Sequence, residues 1–114
     1  MIALRLGINM SAIPATDDDG FLLNLADWNP QIAEALAQQE GITLNSEHWE
    51  MIEMFRSFYE DFGLSPAMRP LVKYTAAKLG KDKGNSIYLL SLFPPSAAKI
   101  GSKIAGLPRP TNCL

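Results

Sequence analysis

The sequence predicts a mainly α, α+β domain: about five short helices, a small N-terminal β-hairpin and an extended C-terminal arm. Three observations predict it. Apolar residues recur at 3/4 spacing in five separate stretches between residues 30 and 105. Most of these stretches begin at a capping residue and end at Gly or Pro. Outside them, residues 1–25 alternate or turn, and the last nine residues carry two prolines in three positions.

At the N-terminus, Ile2, Leu4 and Leu6 alternate with Ala3 and Arg5, the period of a strand. Ile13 and the run Phe21 to Leu23 suit further extended pieces around the Asp17-Asp18-Asp19-Gly20 turn. The first helix is expected from Pro30 to Glu40, with Asp27 or Asn29 as cap and Ile32, Ala35, Leu36 and Gln39 on one face. Asn45 caps the next, and Glu47 and Glu50 favour its first turn. Its stripe of Met51, Phe55, Phe58 and Phe62, widened by Trp49, Ile52 and Tyr59, is broad enough to predict a central helix ending at Gly63. Ser65-Pro66 opens a third helix, with Met68, Leu71, Val72, Thr75 and Leu79 as its stripe. Pro70 conflicts with a helix interior, so the helix starts nearer Arg69 or has an irregular first turn. Asn85 or Ser86 caps a fourth helix bearing Ile87, Leu89, Leu90, Leu92 and Phe93, stopped by Pro94-Pro95. Ser96 caps a fifth, with Ala97, Ile100, Ile104 and Ala105, closed by Gly106. Residues 106–114 then form a stiff arm.

With 114 residues, 47% hydrophobic and 19% charged, the chain is one ordered domain over 1–105 plus the arm over 106–114. No apolar run approaches the ~18–20 residues of a membrane span, and no secretory signal precedes the domain, so a cytoplasmic protein without membrane contact is expected. One cysteine and one histidine speak against a disulfide framework or a metal site, and no cofactor is expected. The net charge of −2 hides an asymmetry: residues 1–61 sum to −9 and residues 62–114 to +7. Either the fold interleaves the halves, or a basic face meets an acidic protein or a nucleic acid.

Nucleotide-cradling glycine runs, HExxH and GxSxG elbows are absent. His48, early in a helix, reads as a capping or packed residue, and Trp28 and Trp49 as packing. Cys113 stands apart. Free cysteines are usually buried, yet this one sits on a polar, proline-stiffened tail. Its thiol could reach roughly 20–25 Å from Gly106 at ~3.1–3.4 Å per residue. An ordinary thiol near pKa ~8.5 is only a few per cent thiolate at neutral pH. Lys103 and Arg109 favour the thiolate and the chain's terminal carboxylate opposes it. On spacing alone, an incidental tail cysteine is the readier reading.

The tail from Lys103 to Leu114, KIAGLPRPTNCL, resembles the C-terminal KIAGLPKPxxC-x signature of the TusE/DsrC family of sulfur-relay proteins. Asp19-Gly20-Phe21-Leu22, Trp28, Glu47-His48-Trp49-Glu50, Arg56-Ser57-Phe58-Tyr59, Gly84-Asn85-Ser86 and Leu92-Phe93-Pro94 fall in the family's order. The DsrC branch has a second arm cysteine eleven positions before the penultimate one. Here that position is Ser102, so the chain is similar to the single-cysteine, TusE-like branch. The resemblance implies a persulfide carrier acting as a sulfurtransferase. Cys113 would take sulfur from a TusBCD-like donor complex and pass it to an MnmA-like tRNA 2-thiouridylase, touching tRNA only indirectly. Lys103, Gly106, Leu107, Pro108, Arg109 and Pro110 would shape the arm and its docking. Two alternatives stand: a DsrC-like partner of dissimilatory sulfite reductase, or a helix-turn-helix nucleic-acid-binding regulator built on helices near 46–62 and 66–79 with Arg69, Lys73 and Lys78.

Overall fold

Short polar side chains start four of the five α-helices in the computed structural model, which describes residues 13–111. Asn29 accepts from the Ile32 amide and opens α1, Pro30–Gln39. Asn45 opens α2, Ser46–Phe62, through a reciprocal capping box. Its side chain accepts from the His48 amide at 3.1 Å, and His48 Nδ1 accepts from the Asn45 amide at 3.1 Å. With Nδ1 accepting, Nε2 donates to the Leu92 carbonyl at 2.9 Å, and the ring meets Phe93 edge-on. His48 therefore caps and packs at once.

The exception is α3, Met68–Leu79, which follows Ala67 with no side-chain cap. Pro70 is its third residue, where an amide would lack an intrahelical acceptor in any case, so the proline is tolerated. Ser65, read from the sequence as the opening of this helix, lies before it and bonds elsewhere. Asn85 caps α4, Ser86–Leu92, and Ser96 caps α5, Ala97–Ile104.

The expected N-terminal hairpin is not supported. Among the described residues there is no strand, only one isolated antiparallel bridge between Thr16 and Leu22. Asp17 explains why pairing stops there. Its carboxylate accepts the Asp19 and Phe21 amides at 2.9 and 3.0 Å, closing a tight turn in place of a ladder. A turn of 3₁₀ helix, Leu25–Asp27, follows directly. The alternating residues Ile2, Leu4 and Leu6 lie outside the described residues.

The centre of the domain is α5 rather than α2. It touches each of the other four helices and buries every residue except Lys99. Small residues make this possible: Ala97, Ala98, Gly101 and Ala105 let neighbours approach its backbone closely. At Gly101 a Cβ would run into the Phe55 ring, so only glycine fits. On α2, Met51, Phe55 and Phe58 are buried as expected, but Phe62 is 56% exposed. Phe62 instead tilts against Phe58 and Tyr74 at the helix end. Ile87 is likewise 82% exposed, since the short α4 buries only Leu89 and Leu92. Among the described residues no helix is long and apolar enough to cross a membrane.

Candidate functional site

The segment after α5 begins with a tight helix stop. The Leu107 amide bonds the Ser102 carbonyl at 2.9 Å and the Gly106 amide bonds the Lys103 carbonyl at 3.1 Å. This is the Schellman arrangement, and it requires the left-handed conformation that Gly106 adopts at φ +78°. Trp28 lies so close that a Cβ at Gly106 would overlap its ring.

Four contacts then fasten this turn to the body. Trp28 Nε1 donates to the Ile104 carbonyl at 2.8 Å. Arg56 Nη1 donates to the Ala105 carbonyl at 2.6 Å, while its guanidinium stacks 3.9 Å from the Trp28 ring centre. These two side chains satisfy carbonyls that the end of α5 leaves orphaned, and a cation suits that end of the helix dipole. Ser65 Oγ donates to the Pro108 carbonyl at 2.5 Å. Arg109 bridges Asp19 at 2.5 Å and Asp17 at 3.4 Å. Leu107 is only 2% exposed, and Pro110 is among the fully buried side chains.

Electrostatics reinforce the fastening. Accepting the Phe21 amide holds the Asp17 carboxyl below its usual range; partial burial opposes this, and the Asp19 amide and Arg109 add to it. For Arg109, burial works against the charge, but Asp19 and Asp17 outweigh it and hold the group more firmly protonated. Burial lowers Arg56, with Glu60 pulling the other way. Lys103 reaches Glu40 at 2.7 Å with its side chain only 7% exposed, and its ammonium lies 5.4 Å from the Phe21 ring.

Of the residues singled out from the sequence, Lys103, Gly106, Leu107, Pro108, Arg109 and Pro110 thus come together at one place, and the contacts described for the first five are with the body of the domain. The segment expected to leave the body at Gly106 stays against it through Pro110. Cys113 lies outside the described residues. Sequence reasoning missed the fasteners Trp28, Arg56, Ser65, Asp17 and Glu40. One signal was available: Arg56 is one of only two cations among the first 61 residues.

Beside this root lies a groove of about 510 Å³. Trp49, Ile52, Glu53, Arg56, Tyr59 and Glu60 of α2 form one wall, and Trp28, Pro30 and Leu107 face them.

A family model described as DsrC like protein matches residues 9–114. The sulfurtransferase TusE of Yersinia pseudotuberculosis is 52% identical over 99 residues, covering 87% of this chain and 92% of that protein. The sulfurtransferase TusE homolog of Haemophilus influenzae is 51% identical over 108 residues, covering 94% and 99%. The NMR structure of Allochromatium vinosum DsrC superposes with a TM-score of 0.78 at 48% identity, over 88% of this chain and 89% of that one. With the family model matching residues 9–114 and these relatives near half identity over most of their length, the chain belongs to the DsrC-like family.

Proposed function

We propose that this protein is a sulfur-relay carrier in which Cys113 accepts a persulfide sulfur and hands it to a tRNA 2-thiouridylase. The relatives named sulfurtransferase TusE support the sulfur-relay reading at about half identity over most of the chain. The observation that carries the finer reading is the clamped root, because it precedes the chain's single thiol by only a few residues.

In the accepting step the Cys113 thiolate attacks the outer sulfur of a donor persulfide. A new S–S bond forms to Cys113, the donor's S–S bond breaks, and the donor departs as a thiolate. The proton on the outer sulfur stays with it, leaving a Cys113 persulfide. In the second step a nucleophile of the acceptor takes that outer sulfur and the Cys113 thiolate is regenerated. No external oxidant or reductant enters either step. A lone cysteine suits the task, since no second thiol of this chain can strip the sulfur off as sulfide. A TusBCD-like donor and an MnmA-like acceptor fit the chemistry.

Intact-mass analysis after incubation with a cysteine desulfurase and a TusBCD-like donor tests the reading. One added sulfur atom on the C-terminal peptide, absent in Cys113→Ser, is expected. Sulfur found on another residue, or none at all, overturns it.

Partnership with dissimilatory sulfite reductase is the weaker reading. The position where a second arm thiol would be needed holds Ser102, which is fully buried inside α5. Nucleic-acid binding has one observation in its favour: Arg69, Lys73 and Lys78 stand exposed on α3, which bears no acidic residue. Salt-dependent RNA or DNA binding unaffected by Cys113→Ser would favour it.

A further inference from the structure

The groove beside the arm root has no role in fastening the arm beyond lending it Trp28, Arg56 and Leu107. Its α2 wall carries a stripe, Trp49, Ile52, Glu53, Arg56, Tyr59 and Glu60, at helical spacing, with Met54 and Ser57 beside it. From Trp49 to Glu60 this stripe runs ~16 Å at ~1.5 Å per residue. An extended peptide of about five residues spans that length at ~3.3 Å each. Trp49, Ile52 and Tyr59, with Trp28, Pro30 and Leu107 opposite, make the groove largely apolar and aromatic. Glu53 and Glu60 stand exposed along it, and neither forms an ion pair among the described residues. Arg56 is the one cation in the lining, and its guanidinium is taken up by the Ala105 carbonyl and the Trp28 face. What remains available is a hydrophobic trough with the Glu53 carboxylate outside any described ion pair and the Glu60 carboxylate facing an Arg56 that is already engaged by the Ala105 carbonyl and the Trp28 ring.

From this we propose that the groove is the docking site for a short, basic and apolar segment of the relay partner, bound in extended form, with lysine or arginine toward Glu53 and Glu60 and an apolar side chain against Trp49 and Tyr59. The inference rests on the sulfur-relay reading for the partner's identity, but the groove's ligand chemistry stands on the lining residues alone. Leu107 belongs both to the groove and to the arm root, so a partner seated there lies against the segment that leads to Cys113. Aromatic faces and carboxylates together favour a cation with an apolar neighbour over an acidic peptide.

The direct test uses a probe, the acetylated and amidated pentapeptide KLRLK, titrated into the full-length protein while the Trp28 and Trp49 indole resonances are followed by NMR. Saturable shifts of both indoles are expected, absent with the peptide ELELE and at least about tenfold weaker in a Glu53→Lys, Glu60→Gln variant. Glu60 is neutralised rather than reversed because its charge faces Arg56. No saturable shift at millimolar peptide, or equal binding of both peptides, overturns the proposal. Indole shifts produced in free protein by removing residues 111–114 would show the chain's own tail in the groove, and would overturn it too. A second arm measures sulfur transfer to Cys113 in the same variant, where the half-saturating donor concentration is expected to rise about tenfold; an unchanged value counts against the docking site. If the wild type accepts no sulfur at all, the relay reading fails, and the peptide titration still decides the groove.

Discussion

Replacing Gly106 with alanine isolates what the arm root demands of its backbone. Two terms act against alanine there. The left-handed conformation costs an L-residue about 1–2 kcal/mol, and forcing a methyl into the Trp28 ring costs about 1–3 kcal/mol as overpacking. Restricting the unfolded chain returns about 0.4–1 kcal/mol. The net expectation is a loss of about 1–5 kcal/mol, which lowers Tm by at least about 4 °C in a domain of this size. Gly41 supplies the control. Its φ of +75° matches the +78° of Gly106, but nothing lies within 4 Å of a Cβ there. Gly41→Ala therefore carries the backbone term alone, about 1 kcal/mol after the unfolded-state offset. Thermal unfolding of both variants, followed by circular dichroism, measures the difference, and tryptophan fluorescence reports whether Trp28 has moved. If Gly106→Ala loses no more stability than Gly41→Ala, the close packing of Trp28 on the turn is refuted.

Two other expectations concern charge. Removing Glu40 leaves the nearly buried Lys103 ammonium unpaired, whereas replacing Lys103 with methionine removes the charge and keeps the volume. Glu40→Ala is expected to cost about 2 kcal/mol, below the usual range for a buried pair because Glu40 is partly exposed, and Lys103→Met less than about 1 kcal/mol. Urea unfolding orders the two, and the reverse order would sink the argument. Asp17 has its carboxyl held below the ordinary carboxylate range by the Phe21 amide, so its contribution is complete above that range and is lost as pH falls through the lowered value. The stability gap between wild type and Asp17→Ala is therefore expected at pH 7 and should close under strongly acid conditions. A gap that stays constant from pH 7 to pH 2 contradicts the assignment.

The helices were legible because their signals are local. Asn45 followed by apolar residues at 3/4 spacing reads the same in the sequence and in the fold, and His48 was readable as a capping residue from its place in the first turn. The central position of α5 was not legible. Its stripe is narrow, and its burial comes from Gly101 and flanking alanines that permit close approach, a signal that periodicity of large apolar residues cannot register. Phe62 was placed in the core because it continues the stripe of Phe55 and Phe58, but the last turn of α2 runs past the end of its packing partners. Ser65 misled for a related reason: a serine before a proline looks like a cap, and only the return of the chain at Pro108 shows what its hydroxyl binds. At the site, the tail motif located the segment, while the side chains that clamp it come from residues 43 to 92 positions away in sequence. Such long-range pairs leave no local pattern.

Those clamps change what the arm can do. With the chain held on the body through Pro110, Cys113 is three steps further along, and at most ~3.6 Å per step gives about 11 Å in all. That is half the reach expected of an arm leaving at Gly106. A partner cannot therefore receive the thiol at a distance; its own reacting sulfur has to come within about a nanometre of Pro110, which obliges it to lie against the body. In the proposed relay, the surface bordering the root, with its groove between Trp49 and Leu107, is the surface such a partner meets. Short tethers also raise the local concentration of the thiol at a docked partner without any lowering of its pKa. In the relay proposed for Cys113, Trp28, Arg56 and Ser65 set where the tail starts from the body, because they hold the root at Ile104, Ala105 and Pro108.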